Sequence, residues 1–499
     1  MELALQFEDI FCYEAMEPLV SAHEESMETA VPEYCPDVAR IVDTTGYILI
    51  REKSMNANKV SVYGNVKVTM LYTSEEVAGL RSMSVSVPFS CVLEGRSLEE
   101  CTTFCTSERV LLAEARVTTS RKLYIKVLPE ITVTGYRPIK RRLCTGIQEE
   151  PTLRKQRQTL EIHTLTAISE KEFTFTGDSL PENGAAPEDV LLYRMCPAVS
   201  SVQRLGNKLM VKGEMWFWVL YRDETQQLRQ YDAVLPLSQI LDIAELPEEA
   251  EYTLHLEQRE CDIRTLRSDS GCGFGLTARI VACVKCYQRR TLHYINDMYS
   301  VHFEASVERE KVTIPQLMPD RELQQEAQLR LELEGADPFV AATNVECSPV
   351  EVVAAESGMQ LHTTVHMRLL YLDEAGAPVS TERTAEVSVP TDEAGGLAAA
   401  CCCRISAQFA GSTCLMRIPV QFALGCAEET AVSGITAVSL SESERESGPS
   451  LILCRVGTGE TLWDVAKRYQ SDEGAICSAN QLADDADAAR YMLLIPKLR

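Results

Sequence analysis

Of the 499 residues only 48 are Lys or Arg against 73 Asp or Glu, which leaves a formal charge of −25. So acidic a surface repels nucleic acid and anionic lipid, so a nucleic acid partner is not expected. The first 18 positions hold no basic residue at all, while Glu2, Glu8, Asp9, Glu14 and Glu17 crowd them. A secretory leader needs a basic start before an apolar stretch, and none is read here. Runs of about 18 uncharged apolar residues are missing too, the densest stretches, 215–221 and 397–403, being only as long as a buried strand. No transmembrane helix is expected. A Gly-x-x-x-x-Gly-Lys-Ser/Thr loop is lacking, which argues against nucleotide hydrolysis. Nineteen cysteines could suggest a disulfide framework, but their number is odd, their spacing irregular, and Cys401, Cys402 and Cys403 are adjacent. They read as reduced thiols of a cytosolic protein.

What is present is a repeat. Val62-Tyr-Gly-Asn-Val-Lys-Val-Thr-Met-Leu-Tyr72, Val211-Lys-Gly-Glu-Met-Trp-Phe-Trp-Val-Leu-Tyr221 and Leu361-His-Thr-Thr-Val-His-Met-Arg-Leu-Leu-Tyr371 all end in Leu-Tyr, 149 and 150 positions apart. A polar turn follows each, and then a short apolar stretch ending at Pro88, Pro236 or Pro390. In the first copy Val60, Val62, Val66, Val68 and Met70 alternate with polar residues, the period of a half-buried strand. Further hairpins are expected around Ser120-Arg121 and Ser270-Gly271. With 45% apolar and 24% charged residues, the chain reads as mainly β: three repeated antiparallel domains at 1–148, 149–305 and 306–438, the last degenerate. Each repeat is expected to hold its own core, so that a cut near Leu160 or Lys311 leaves folded neighbours. A Ser- and Glu-rich linker is read at 439–450.

Positions 451–499 are built differently. A strand at 451–456 precedes a helix begun by the capping pair Thr461 and Asp464, with Leu462, Val465, Ala466 and Tyr469 on one face. A second helix at 475–482 and a strand at 491–495 complete a small βααβ unit. The pattern Val456-x-x-Gly459-Glu460-Thr461-Leu462-Trp463-x-x-Ala466-x-x-Tyr469, with Ile476, Asn480, Leu482 and Ile495-Pro496, resembles a LysM module. That resemblance implies an N-acetylglucosamine polymer groove formed by Thr458, Gly459, Glu460, Thr461, Leu462 and Trp463 on one side and Ile476, Asn480 and Leu482 on the other. Ala488-Ala-Arg-Tyr491 stands where the family usually has a glycine turn.

Three β repeats followed by such a module resemble the SPOCS-domain spore coat morphogenetic proteins of clostridia. The resemblance implies a non-enzymatic adaptor in the mother-cell cytoplasm, at the forespore surface and spore coat. Its LysM module would bind a coat-scaffold ATPase, other coat proteins would be further partners, and no cofactor would be needed. The alternative is a peptidoglycan-binding or N-acetylglucosamine-binding LysM protein of the cell wall.

Local chemistry offers little against that reading. Cys283-Val-Lys-Cys286 has ligand-like spacing without a second pair, and so reads as buried strand cysteines. His362 and His366 share a strand face about 13 Å apart, too far for one metal. Cys401, Cys402 and Cys403 have only Arg404 nearby to depress a thiol pKa. Trp216 and Trp218 should fill a core. No catalytic or metal site is assigned.

Overall fold

A computed structural model of the chain describes all residues except 1, 148–150, 182–185, 244–245, 248, 269–270, 333–338, 356–357, 393–396, 402–403, 443–450, 458, 483–491 and 497–499. Antiparallel strands dominate, as the alternation predicts. The first repeat comprises β1 (Leu5–Ala15), β2 (Leu19–Ala22), β3 (Glu25–Ala30), β4 (Arg40–Asn56), β5 (Lys59–Thr73), β6 (Arg81–Glu94), β7 (Thr103–Thr119) and β8 (Lys122–Ile147). In the second are β9 (Leu153–Ser179), β10 (Pro187–Leu205), β11 (Lys208–Asp223), β12 (Leu228–Asp242), β13 (Ala250–Ser268) and β14 (Gly271–Ser300). The third adds β15 (Phe303–Leu317), β16 (Arg321–Glu332), β17 (Val340–Cys347), β18 (Glu351–Ala355), β19 (Gly358–Leu372), β20 (Pro378–Thr391), β21 (Leu397–Cys401), β22 (Ser406–Ala410), β23 (Thr413–Gly425) and β24 (Ala427–Glu442). The C-terminal unit is β25 (Leu451–Arg455), α1 (Leu462–Tyr469), α2 (Glu473–Asn480) and β26 (Met492–Pro496).

Each repeat is a sandwich. A meander, β4-β5-β6 in the first and β10-β11-β12 in the second, lies on a sheet made by the later hairpin and the strand that enters the repeat. Val60, Val62, Val66, Val68 and Met70 are fully buried between the two layers with Ile125, Val127 and Val133. A bulge interrupts the first meander strand opposite Gly64, and another opposite Gly213, where the partner strand crosses close. A side chain at either glycine would meet backbone, Leu49 O at 2.4 Å or Ala198 O at 2.1 Å. The third repeat has Thr363 at this position and solves the crossing differently. Its first meander strand is split into β17 and β18, and the Thr363 hydroxyl donates to Ser348 O at 2.8 Å.

The repeated Leu-Tyr pair acquires a physical meaning. Neighbouring strand residues face opposite ways. Tyr72, Tyr221 and Tyr371 point into the cores of their own sandwiches. Leu71, Leu220 and Leu370 point outward and meet one another in a separate apolar cluster where the three meanders join. Trp216 and Trp218, expected in a core, fill this junction and not their own sandwich, with the Arg194 guanidinium 5.0 Å from the Trp218 ring.

A second shared region is formed by two-stranded ribbons, β1-β8, β9-β14 and β15-β24, one from each repeat. Ile10 and Leu143, Ile162 and Leu292, and Val312 and Ile314 pack into one cluster, a stem built from all three repeats. The ends of the array meet there, since Leu3 N donates to Val438 O at 3.0 Å and Glu2 bridges Ser439.

The positions named in the sequence reading fall on these elements as follows. Leu160 and Lys311 lie inside β9 and β15, strands of the shared stem, while the sandwich clusters on either side of each position remain separate. The strand β15 begins at Phe303, three residues before position 306. At 439–442, read as the start of the linker, β24 continues and pairs Ser439 with Ser306 and Glu442 with Phe303. Among the cysteines whose side chains are described, Cys196 is disulfide-bonded, which departs from the reduced reading, and the others form no disulfide; the Cys401 side chain is not described. Cys402 and Cys403 lie outside the described residues. Among the described residues no helix is long and apolar enough to cross a membrane.

Candidate functional site

The capping signal is realised. Thr461 Oγ1 accepts from Asp464 N at 3.3 Å, and the Asp464 carboxylate accepts from Thr461 N at 3.0 Å, which satisfies free amides at the start of α1. The Thr461 hydroxyl, which donates to the same carboxylate at 2.7 Å, and the Thr461 N–H hold the Asp464 carboxyl below its usual range. Asp472 caps α2 by accepting from Ala475 N. The face predicted for α1 is buried at Leu462, Val465 and Ala466, with Tyr469 packed at its margin. α2 starts two residues before the expected position.

The proposed groove residues divide into two groups. Leu462, Trp463 and Ile476 are buried in the module's apolar cluster, and Leu482 packs against it. Asn480 is a tie between elements: its amide donates to Ile476 O and Leu494 O, and its oxygen accepts from Leu494 N, all at 2.7 Å. Gly459 and Thr461 are exposed, Gly459 with φ +81, and Glu460 accepts from Gly457 N while pairing with Arg468. Thr458 and the stretch at 488–491 lie outside the described residues.

The sequence reading missed the surface on which the module sits. Trp463 packs edge-on against Tyr299 at 4.8 Å, and its Nε1 donates to Asp297 Oδ2 at 2.8 Å. Lys467 Nζ donates to both Asp297 oxygens at 2.7 Å, and Arg309 completes the cluster. Burial would raise the Asp297 pKa, but these donors and the charges of Lys467 and Arg309 hold it below the usual carboxylate range. Tyr299 Oη donates to Ser471 O, Arg154 pairs with Asp472, and Val301 enters the module's core. The module is therefore seated on the end of the second repeat's ribbon. Trp463 is spent on that contact.

One face of the module's ribbon is exposed. Ile452, Cys454, Leu493 and Ile495 point inward from the two-stranded ribbon, which turns Leu451, Leu453 and Met492 to solvent at 53%, 63% and 62% exposure. Register sets Leu453 opposite Leu494 and Arg455 opposite Met492.

Comparison with known families fits both parts. Residues 37–111 match the family described as SipL, SPOCS domain, and residues 454–486 match the LysM domain. The first match covers β4, β5, β6 and the start of β7, one meander of the three. Neither a curated protein nor a solved structure matches the chain. The two families found are non-catalytic binding modules. The chain thus joins a SPOCS domain near its N-terminus to a C-terminal LysM domain, the pairing of a SPOCS-plus-LysM spore coat protein.

Proposed function

We propose that the chain is a non-enzymatic structural adaptor of spore coat assembly. Its LysM module would contact a coat-scaffold ATPase, while the three-repeat body presents a platform to other coat proteins at the forespore surface, in the mother-cell cytoplasm. The observation that carries this reading is the uncovered apolar face at Leu451, Leu453 and Met492. Singly exposed apolar residues are ordinary, but three on one face of a five-residue ribbon suit a desolvated protein contact. The Trp463 indole, which could otherwise stack on a sugar ring, is turned to Asp297 and Tyr299 at the end of the second repeat's ribbon.

Pull-down from sporulating cells with the full chain tests the reading. Leu453→Asp places a charge in the contact without touching the module's core, and recovery of the scaffold ATPase should fall at least about tenfold, the equivalent of roughly 1.4 kcal/mol. Recovery at the wild-type level would reject this face. Saturable pelleting of the wild-type chain with purified wall glycan would instead favour the groove at Gly459, Glu460, Thr461 and Leu482.

A further inference from the structure

The two cysteines of Cys283-Val-Lys-Cys286 do not face the same way. Cys286 lies in the sandwich core with Ala282 and Val284, whereas Cys283 is turned out of it toward the first repeat. There its Sγ lies 3.5 Å from Sγ of Cys105 on β7, 178 positions earlier. Directly across the ladder from Cys283 stands Glu170 of β9. One donor atom from each of Cys105, Glu170 and Cys283 falls within 4.8 Å of the others.

We infer that Cys105, Glu170 and Cys283 form a binding site for a thiophilic divalent cation of the Zn²⁺ class, joining the first two repeats. The sulfur separation favours this over a disulfide. Two thiolates at about 2.3 Å from a tetrahedral Zn²⁺ stand about 3.8 Å apart, whereas a disulfide closes to about 2.05 Å. Charge also balances. Two thiolates and a carboxylate around a divalent ion leave one negative charge, and Lys53 Nζ, 2.6 Å from Glu170 Oε1, cancels it while orienting the carboxylate. Binding releases the thiol protons, so affinity rises with pH. A cavity of about 270 Å³ lined by Lys53, Glu170 and Arg259 lies on the carboxylate side of the cluster. Three protein donors leave the fourth tetrahedral position to a solvent-derived ligand. This inference is independent of the adaptor reading.

The test is titration of the reduced full chain with Co²⁺, following thiolate-to-cobalt charge-transfer absorption, together with the zinc content of the purified protein. One site per chain is expected. Cys283→Ser and Cys105→Ser should abolish it, while Glu170→Gln and Lys53→Met should weaken it by about 10- to 100-fold. Cys286→Ala should leave it intact. Glu170 and Lys53 lie outside the sandwich cores, so these variants test the site even if a cysteine variant misfolds. Absorption that survives loss of Cys283, absorption that requires Cys286, or a Cys105–Cys283 disulfide in protein alkylated without reductant would each overturn the assignment.

Discussion

Asp297 concentrates the attachment of the C-terminal module in one carboxylate. It accepts from the Trp463 indole and the Lys467 ammonium and pairs with Arg309. A carboxyl whose folded-state pKa is depressed stabilises the folded state above the unfolded value of about 4, and that contribution disappears as pH falls through the folded-state pKa. Amide protection in α1, taken against the intrinsic exchange rate at each pH, should therefore be high at neutral pH and fall below about pH 4. Asp297→Asn should speed exchange at pH 7 and flatten the acid dependence, consistent with the loss of about 1.5 to 3 kcal/mol for hydrogen bonds to a charged group. Identical exchange in wild type and variant would show that this residue does not hold the module.

At the scale of strands, the Leu-Tyr pair separates two kinds of packing on consecutive residues. Leu220→Ala should lower stability to urea by about 2 to 5 kcal/mol, because the leucine is fully buried where three meanders converge. On the corresponding strand of the first repeat Tyr63 is 44% exposed, and Tyr63→Ala should change stability by no more than about 0.5 kcal/mol. Equal effects from the two would dismiss the junction as a core. The strands themselves were legible, since alternation of Val60, Val62, Val66 and Val68 assigns residues to faces. Alternation does not say what covers a face, so the role of Leu71, Leu220 and Leu370 was invisible. The first helix of the module was legible through capping and spacing, and the second was placed two residues late. The module's seat was not legible, because Asp297 and Trp463 are 166 positions apart and no local pattern links them.

The whole molecule should unfold as one unit through its three repeats. The stem takes apolar residues from all of them, and a sandwich released from its neighbours would expose that surface. Calorimetry of the chain should give a single transition for the repeats, with calorimetric and van't Hoff enthalpies in agreement; three resolved transitions would refute this. Joining Leu3 to Val438 has an evolutionary consequence. A linear array of repeats can gain or lose a unit at either end, because each unit touches only its neighbours. Here the first and last units already occupy each other's free side. A fourth copy would have no place around the stem, and a missing one would open a gap as wide as a sandwich. Copy number is held at three by geometry, which leaves divergence within copies, such as Gly64 and Gly213 against Thr363, as the course open to change.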